Sequence, residues 1–285
     1  MTDYNKYLHA LDKNHDRFME KIQQKRFRRT WASIILIITF SLVIWKMDII
    51  PWGKEEIDGN VLNLAYVAEW NDEDRIVSPW KNIQFHTGLM FRNLFLADST
   101  FENVEMDLAE SYEVLEDGLV YEIVMKEGIV WSDYEPITAE DVAFSIEAVL
   151  VAEDVNVIYT TAFSNISGVT EYLNGESEHI SGLEVDDNTL RIEMDVEYPE
   201  MIQILAQFVI LPEHILGDED WSTLYLNEYW SDPVVSGMYE IGETVSYETV
   251  QLVRNEAYVG IEPKIEEVIL HIDYKNADLD YYSTN

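Results

Sequence analysis

A chain of 285 residues with 47% apolar side chains has room for one large or two medium domains and enough apolar surface to fill a core, which excludes a disordered polymer. Fifty-five Asp and Glu against 18 Lys and Arg leave a net charge of −37, which repels nucleic acid over most of the surface and excludes it as a partner class. With no cysteine there is no disulfide, no zinc–thiolate centre and no thioether lipid anchor.

The charge is uneven along the chain. Residues 1–30 carry eight basic and four acidic side chains, a net of +4 that leaves −41 for the rest. A sign change of this kind predicts two environments with a boundary near Thr30. At that boundary stands TWASIILIITFSLVIWKMDIIPW. As a helix, residues 30–52 reach roughly 34 Å at about 1.5 Å per residue, enough for a bilayer core of roughly 30 Å. Trp31, Trp45 and Trp52 suit the headgroup zones, and Lys46 and Asp48 lie near one end, where they can reach the interface. The basic KRFRR before the run predicts a cytoplasmic flank. A cleaved secretory signal shares the basic-then-apolar pattern, but the 29-residue lead, the bulky flank at 46–52 and the lack of a small-x-small site favour an uncleaved anchor. The expected organisation is a cytoplasmic tail at 1–29, a transmembrane anchor at 30–52, a polar linker at 53–59 and an extracytoplasmic domain over 60–285.

Within that domain VLNLAYVAEW reads as a buried strand that leaves its sheet at Glu69-Trp70. Residues 82–96 carry a helical stripe of Ile83, Leu89 or Met90, and Leu94, interrupted by Gly88. SYEVLEDGLVYEIVMKEG places Asp117-Gly118 between two β-rich runs and predicts a hairpin. In WSDYEPITAEDVAFSIEAVL, Pro136 marks a turn and Thr138 an N-cap with Asp141 three residues on. Val142, Ile146, Val149 and Leu150 then give one apolar helix face. Short helices are expected over 165–173 and 199–208, and one turn over 212–216 capped by Gly217. A second hairpin is expected around Asp186-Asp187-Asn188, and strands over 238–241, 247–253 and 265–273. Strands and helices in this mixture predict an α/β (mixed α+β) domain.

The order of these pieces resembles the bacterial extracellular solute-binding proteins of family 5, the oligopeptide, dipeptide and nickel receptors of ABC importers. Four segments carry the resemblance: LAESYEVLEDGLVYEIVMKEGIVWSDYEPITAEDVAFSIEAV, ISGLEVDDNTLRIEMDVEYPEMIQILAQFVILPEHIL, SGMYEIGETVSYETVQLVRNEAYVG and EPKIEEVILHI. Met238 stands where that family usually has proline before tyrosine, and Ser132 and Tyr134 replace its usual histidine or similar residue and glycine around Asp133. The resemblance implies a lobe of the periplasmic-binding-protein type II kind with a mixed sheet, a peptide or other small solute as ligand, ABC permease subunits as partners, and no cofactor. It also implies a second lobe after EPKIEEVILHIDY, so residues 53–285 by themselves are expected to bind peptide weakly or not at all. In such receptors the end of the first strand reaches the cleft, which makes Glu69 the candidate for a ligand amine and Trp70 for a ligand side chain.

Catalysis finds little support in the residues. His86, His179, His214 and His271 lack metal-ligand spacing, and no G-x-S-x-G, phosphate loop or dinucleotide fingerprint occurs. Asn71-Asp72-Glu73-Asp74 lacks the glycine and spacing of a calcium loop. An anchored sensory or interaction module, or part of a receptor–permease fusion, is the alternative to a solute receptor.

Overall fold

The chain divides into two units, Met1–Ile57 and Asp58–Asn285. The computed structural model describes residues 60–68, 78–81, 86–242 and 249–274, all within the second unit. The anchor expected at 30–52 lies outside the described residues. Among those described, no helix is long and apolar enough to cross a membrane.

Strand β1 (Val61–Ala68) comes first, then one helical turn α1 (Thr87–Met90) and a small hairpin of β2 (Phe95–Ala97) and β3 (Val104–Met106). Strands β4 (Ala109–Leu115) and β5 (Val120–Met125) form the hairpin expected from Asp117-Gly118. Its turn holds Glu116, Asp117 and Gly118 at φ 51, 55 and 96°, a left-handed path that aspartate and glycine tolerate well. Helix α2 (Ala139–Val151) starts at Thr138 as the sequence predicts, and α3 (Val157–Phe163) and α4 (Val169–Leu173) come after it. Next are β6 (Leu183–Asp186) and β7 (Thr189–Glu193), the second expected hairpin, with Asp187 at φ 57° in its two-residue turn. Asn188 in that turn also closes the end of β5: its carbonyl accepts Met125 N–H at 2.8 Å and its amide donates to Met125 O at 3.2 Å. The chain ends through α5 (Met201–Leu205), α6 (Glu213–Leu216), two 3-10 turns, and β8 (Tyr239–Ile241), β9 (Thr249–Arg254) and β10 (Glu267–Tyr274).

Two four-stranded sheets result. The first has the order β1-β10-β9-β8, with β1 parallel to β10 and the other pairs antiparallel; the second, β4-β5-β7-β6, is antiparallel throughout. Mixed α/β architecture is therefore what the chain adopts. Val142, Ile146 and Val149 of α2 are fully buried and Leu150 is half-buried. Burial extends beyond that stripe to Phe144, Ser145 and Ala148, because the helix lies between the second sheet on one side and α3, α6 and Trp221 on the other. Under α3 an aromatic group forms around Phe208, with Trp80 stacked at 5.8 Å, Tyr159 at 5.2 Å and Phe163 edge-on at 4.9 Å. Each such ring contributes about 1.5–3 kcal/mol by leaving water.

Three helices come out shorter than the sequence predicts. Of residues 82–96, only Thr87–Met90 is helical among those described, and Phe95 begins a strand. Tertiary partners compete for the backbone there: Arg92 N–H donates to Ser236 Oγ at 2.8 Å, and Met90 O accepts Gly237 N–H at 2.7 Å. Met90 and Leu94 are both fully buried all the same, so the described part of the apolar stripe is satisfied without a continuous helix. Over 165–173 the helix begins only at Val169, because Ile166 bridges to Met194 and Gly168 turns through φ 85°. A Cβ at Gly168 would collide with Ser181. Over 199–208 only Met201–Leu205 is helical. Gly217 does follow α6, though in right-handed geometry at φ −62°.

Candidate functional site

Strands β1 and β10 run in register from Val61 opposite Glu267 to Ala68 opposite Tyr274, so both end on one edge of the first sheet. Parallel neighbours require a crossover, and here it comprises all of residues 69–266. In open sheets with parallel strands, ligands sit in the crevice outside the strands' carboxyl ends. Glu69 and Trp70 are the next two residues after β1, and both lie outside the described residues, so neither side chain is placed. What is placed is the platform behind them. Val268, Leu270 and Leu252 are buried and Leu62 and Leu64 pack against the core. On the opposite face Asn63 Oδ1 and His271 Nε2 meet across β1 and β10 at 3.0 Å. One apolar and one solvated face make this a one-sided sheet with its register strongly specified.

Arg92 holds the platform to its surroundings. Its guanidinium donates to the Asp107 carboxylate after β3 and to Val259 O beyond β9 at 3.1 Å, and lies 5.4 Å from the Tyr258 ring centre. Asn255, buried just after β9, donates to Gly237 O at 2.9 Å, accepts Ala257 N–H at 2.9 Å and gives its own N–H to Met238 O at 3.0 Å. Gly237 rests on the end of α1 so closely that a Cβ would strike Leu89 and Met90. These contacts explain the SGMY and RNEAY segments as one packing unit. Met238 enters it through a main-chain carbonyl and so serves in place of proline.

A second node lies at the start of α2. Asp141 is 3% exposed, and its carboxylate accepts Thr138 N–H at 2.8 Å, Glu213 N–H at 2.9 Å and Trp131 Nε1–H at 3.3 Å. Burial pushes its pKa up from the usual carboxylate value, and those three donors pull against the rise. The acid expected to serve the helix start thus also ties in α6 and the fully buried Trp131. Ser132 and Val235 exchange two bonds, Ser132 N–H to Val235 O at 2.8 Å and Val235 N–H to Ser132 Oγ at 3.0 Å. Asp133 accepts Glu135 N–H at 3.1 Å and meets His214 Nε2 at 2.8 Å. Tyr134, where the resembling family has glycine, sits at φ 72° and is 67% exposed as a residue, so the backbone keeps a glycine-like conformation under a bulky residue.

Each described histidine has a structural setting. His86 is buried, which pulls its pKa down to about 4 and keeps it neutral at pH 7. His179 meets Glu147 at 3.1 Å, His214 meets Asp133, and His271 meets Asn63. Among the described residues no three His, Asp or Glu side chains group as a metal site. Sequence reasoning missed Arg92, Glu147 and Asn255 as fixing residues. Only the sequence position of Asp141, three residues after Thr138, carried a readable signal.

Comparison with solved structures shows this arrangement to be that of a binding-protein fold. Lactococcal OppA complexed with an endogenous peptide in the closed conformation matches at a TM-score of 0.66 and 22% identity, over 79% of this chain and 44% of that one. NikZ from Campylobacter jejuni in complex with Ni(L-His) matches at 0.60 and 24% identity, over 76% and 40%. Among curated sequences, the oligopeptide-binding protein AppA of Bacillus subtilis is 28% identical over 167 residues, 58% of this chain and 28% of AppA. OppA of Lactococcus lactis is 24% identical over 187 residues, 63% of this chain and 31% of that protein. Residues 103–279 match the bacterial extracellular solute-binding proteins, family 5 (middle), and the chain belongs to that family. It spans about a third of the length of the curated relatives it matches.

Proposed function

We propose that the protein captures a peptide or similar small solute outside the cell for an ABC importer, held to the membrane by residues 30–52 with residues 1–29 in the cytoplasm. The observation that supports this most directly is the parallel β1/β10 pair, whose common carboxyl edge is followed in sequence by Glu69-Trp70. Family membership and relatives named as oligopeptide-binding proteins support that solute class. Binding then proceeds without covalent chemistry. Two lobes close on the solute, its surface is buried from both sides, and closure reports occupancy to the permease. Glu69 takes the ligand amine and Trp70 a ligand side chain in the wall that this lobe supplies.

The test is uptake of labelled short peptides by cells with and without the gene. Loss of uptake on disruption, restored by the wild-type chain and weakly by Glu69→Gln, is the expected result; unchanged uptake of every peptide sinks the reading. Protease added to intact cells should remove residues after 60 and spare the first 29. The basic segment at 1–30 favours one alternative, an anchored sensory or interaction module. That module would leave uptake intact while changing the cell's response to the solute.

A further inference from the structure

Ten asparagines lie among the described residues, and the side chains of eight are held by hydrogen bonds. The other two, Asn60 and Asn174, make no side-chain hydrogen bond to another described residue. Asn60 precedes Val61, whose branched Cβ crowds the peptide nitrogen. Asn174 precedes Gly175 at the end of α4, inside a run from Leu173 to His179 in which every residue is exposed. Apart from its two chain neighbours, no residue comes within 4 Å of where a Cβ on Gly175 would stand. The Asn174 side-chain amide and the Gly175 Cα both face open space, so a rotation of the Asn174 main chain from its present φ −80° and ψ −6° is all that brings the amide carbon to the next main-chain nitrogen.

From this geometry we propose that Asn174-Gly175 is a self-modifying site, at which the chain forms a cyclic imide and becomes an aspartyl or isoaspartyl linkage. The Gly175 nitrogen loses its proton to hydroxide and attacks Asn174 Cγ. The Cγ–Nδ2 bond breaks, and the amide leaves as ammonia after taking a proton from water. A second water opens the five-membered ring at either carbonyl. Opening at one restores the main chain as aspartate, and opening at the other reroutes it through the side chain as isoaspartate. One ammonia leaves and one water is taken up, with no oxidant or reductant, and the residue gains a negative charge.

The fold restrains this step without blocking it. Gly175 N–H donates to Tyr172 O at 2.9 Å and Glu176 N–H to Glu171 O at 2.8 Å, so the turn must open before attack. The product also bears on the contacts of residues 179 and 180. Ile180 N–H donates to Glu147 Oε1 at 2.8 Å and His179 Nδ1 meets Glu147 Oε2 at 3.1 Å, which straps this loop to α2. An isoaspartyl link lengthens the main chain by one carbon ahead of that strap. It also sets a new carboxylate among Glu171, Glu176 and Glu178.

The test is ageing of the full-length protein in mildly alkaline buffer, with peptide mapping by mass spectrometry and isoaspartyl methyltransferase labelling as readouts. The peptide holding Asn174 is expected to gain about 1 Da first, roughly tenfold ahead of the Asn60 peptide, as an exposed Asn-Gly pair lacks the hindrance of a branched neighbour. Isoaspartate should be the larger product, unfolding in urea should accelerate the change, and Asn174→Gln should abolish it at that position. Two results overturn the proposal: an intact Asn174 amide in the folded protein after the unfolded chain has fully converted, or conversion to aspartate alone, which means direct hydrolysis without the imide.

Discussion

Arg92, between the β2–β3 hairpin and the turn beyond β9, and Arg191, on the outer face of the second sheet, meet the same acidic chain in opposite ways. Arg92 has one carboxylate partner, Asp107, with side chains 10% and 13% exposed, and adds the Val259 carbonyl and the Tyr258 ring. Arg191 has three carboxylates, Glu122, Glu184 and Glu193, but at 3.6–3.7 Å and with 28% of its own side chain exposed. Cross-strand register puts Glu113, Glu122, Arg191 and Glu184 in one row over β4, β5, β7 and β6. On a chain of net charge −37 an arginine finds opposite charges wherever it lies. What separates the two is loss of water and directed bonds: short bonds in a dry site fix geometry, and longer contacts at the surface are screened.

The largest effect should therefore come from Arg92→Ala, which strands Asp107 and frees the turn around Tyr258. A loss of about 3–4 kcal/mol in urea unfolding is expected, and Arg92→Lys should recover only part of it because an ammonium cannot span the same acceptors. If Arg191→Ala costs as much, the contrast between dry and wet sites is wrong.

Asp141 sharpens the comparison, since it is more deeply buried than Arg92 and bonded only to N–H donors. Asp141→Asn should cost about 2 kcal/mol at neutral pH by turning one acceptor into a donor that faces donors. Its pH dependence has a definite sign. Burial raises the folded pKa above the unfolded one, so folding takes up a proton between the two values. The contribution of Asp141 is full below the unfolded pKa and is lost as pH rises through the folded one. The wild type should accordingly gain on Asp141→Asn as pH is lowered through that window, and a gap that narrows on acidification refutes the assignment.

Arg191→Ala should cost about 1 kcal/mol at low ionic strength, and added salt should shrink that cost by screening both the lost attraction and the repulsion left among the glutamates. The smallest effect has the opposite sign. Tyr134→Gly should stabilise the fold by up to about 1 kcal/mol, because glycine takes φ near 72° without strain and the exposed ring returns little packing. Thermal unfolding of that variant decides it; a lower midpoint means that the ring packs on something.

Much of the fold is legible in the amino-acid sequence, and each departure from that reading has a specific cause. Asp117-Gly118 and Asp187-Asn188 mark their hairpins because few residues accept a left-handed backbone, and Thr138 with Asp141 marks a helix start because N–H groups there need acceptors. The helix expected over 82–96 does not form as read, since Ser236 and Gly237, more than 140 residues away in sequence, take up the bonds that would have continued it. For the candidate site, the sequence singles out Glu69 and Trp70 by their position after a strand. It contains no sign that the strand's partner is β10, 206 residues farther on by the register of Val61 with Glu267.

By itself, then, the sequence determined the class of domain, both hairpins, the capped helix and the overall charge, because each depends on neighbours within a few residues or on composition alone. Tertiary structure decided which strands share an edge, that Arg92 and Asn255 join three separate segments, and that Asp141 serves α6 as well as its own helix. Those outcomes turn on contacts between residues far apart in the chain, and a buried donor or acceptor finds its partner only once packing has excluded water.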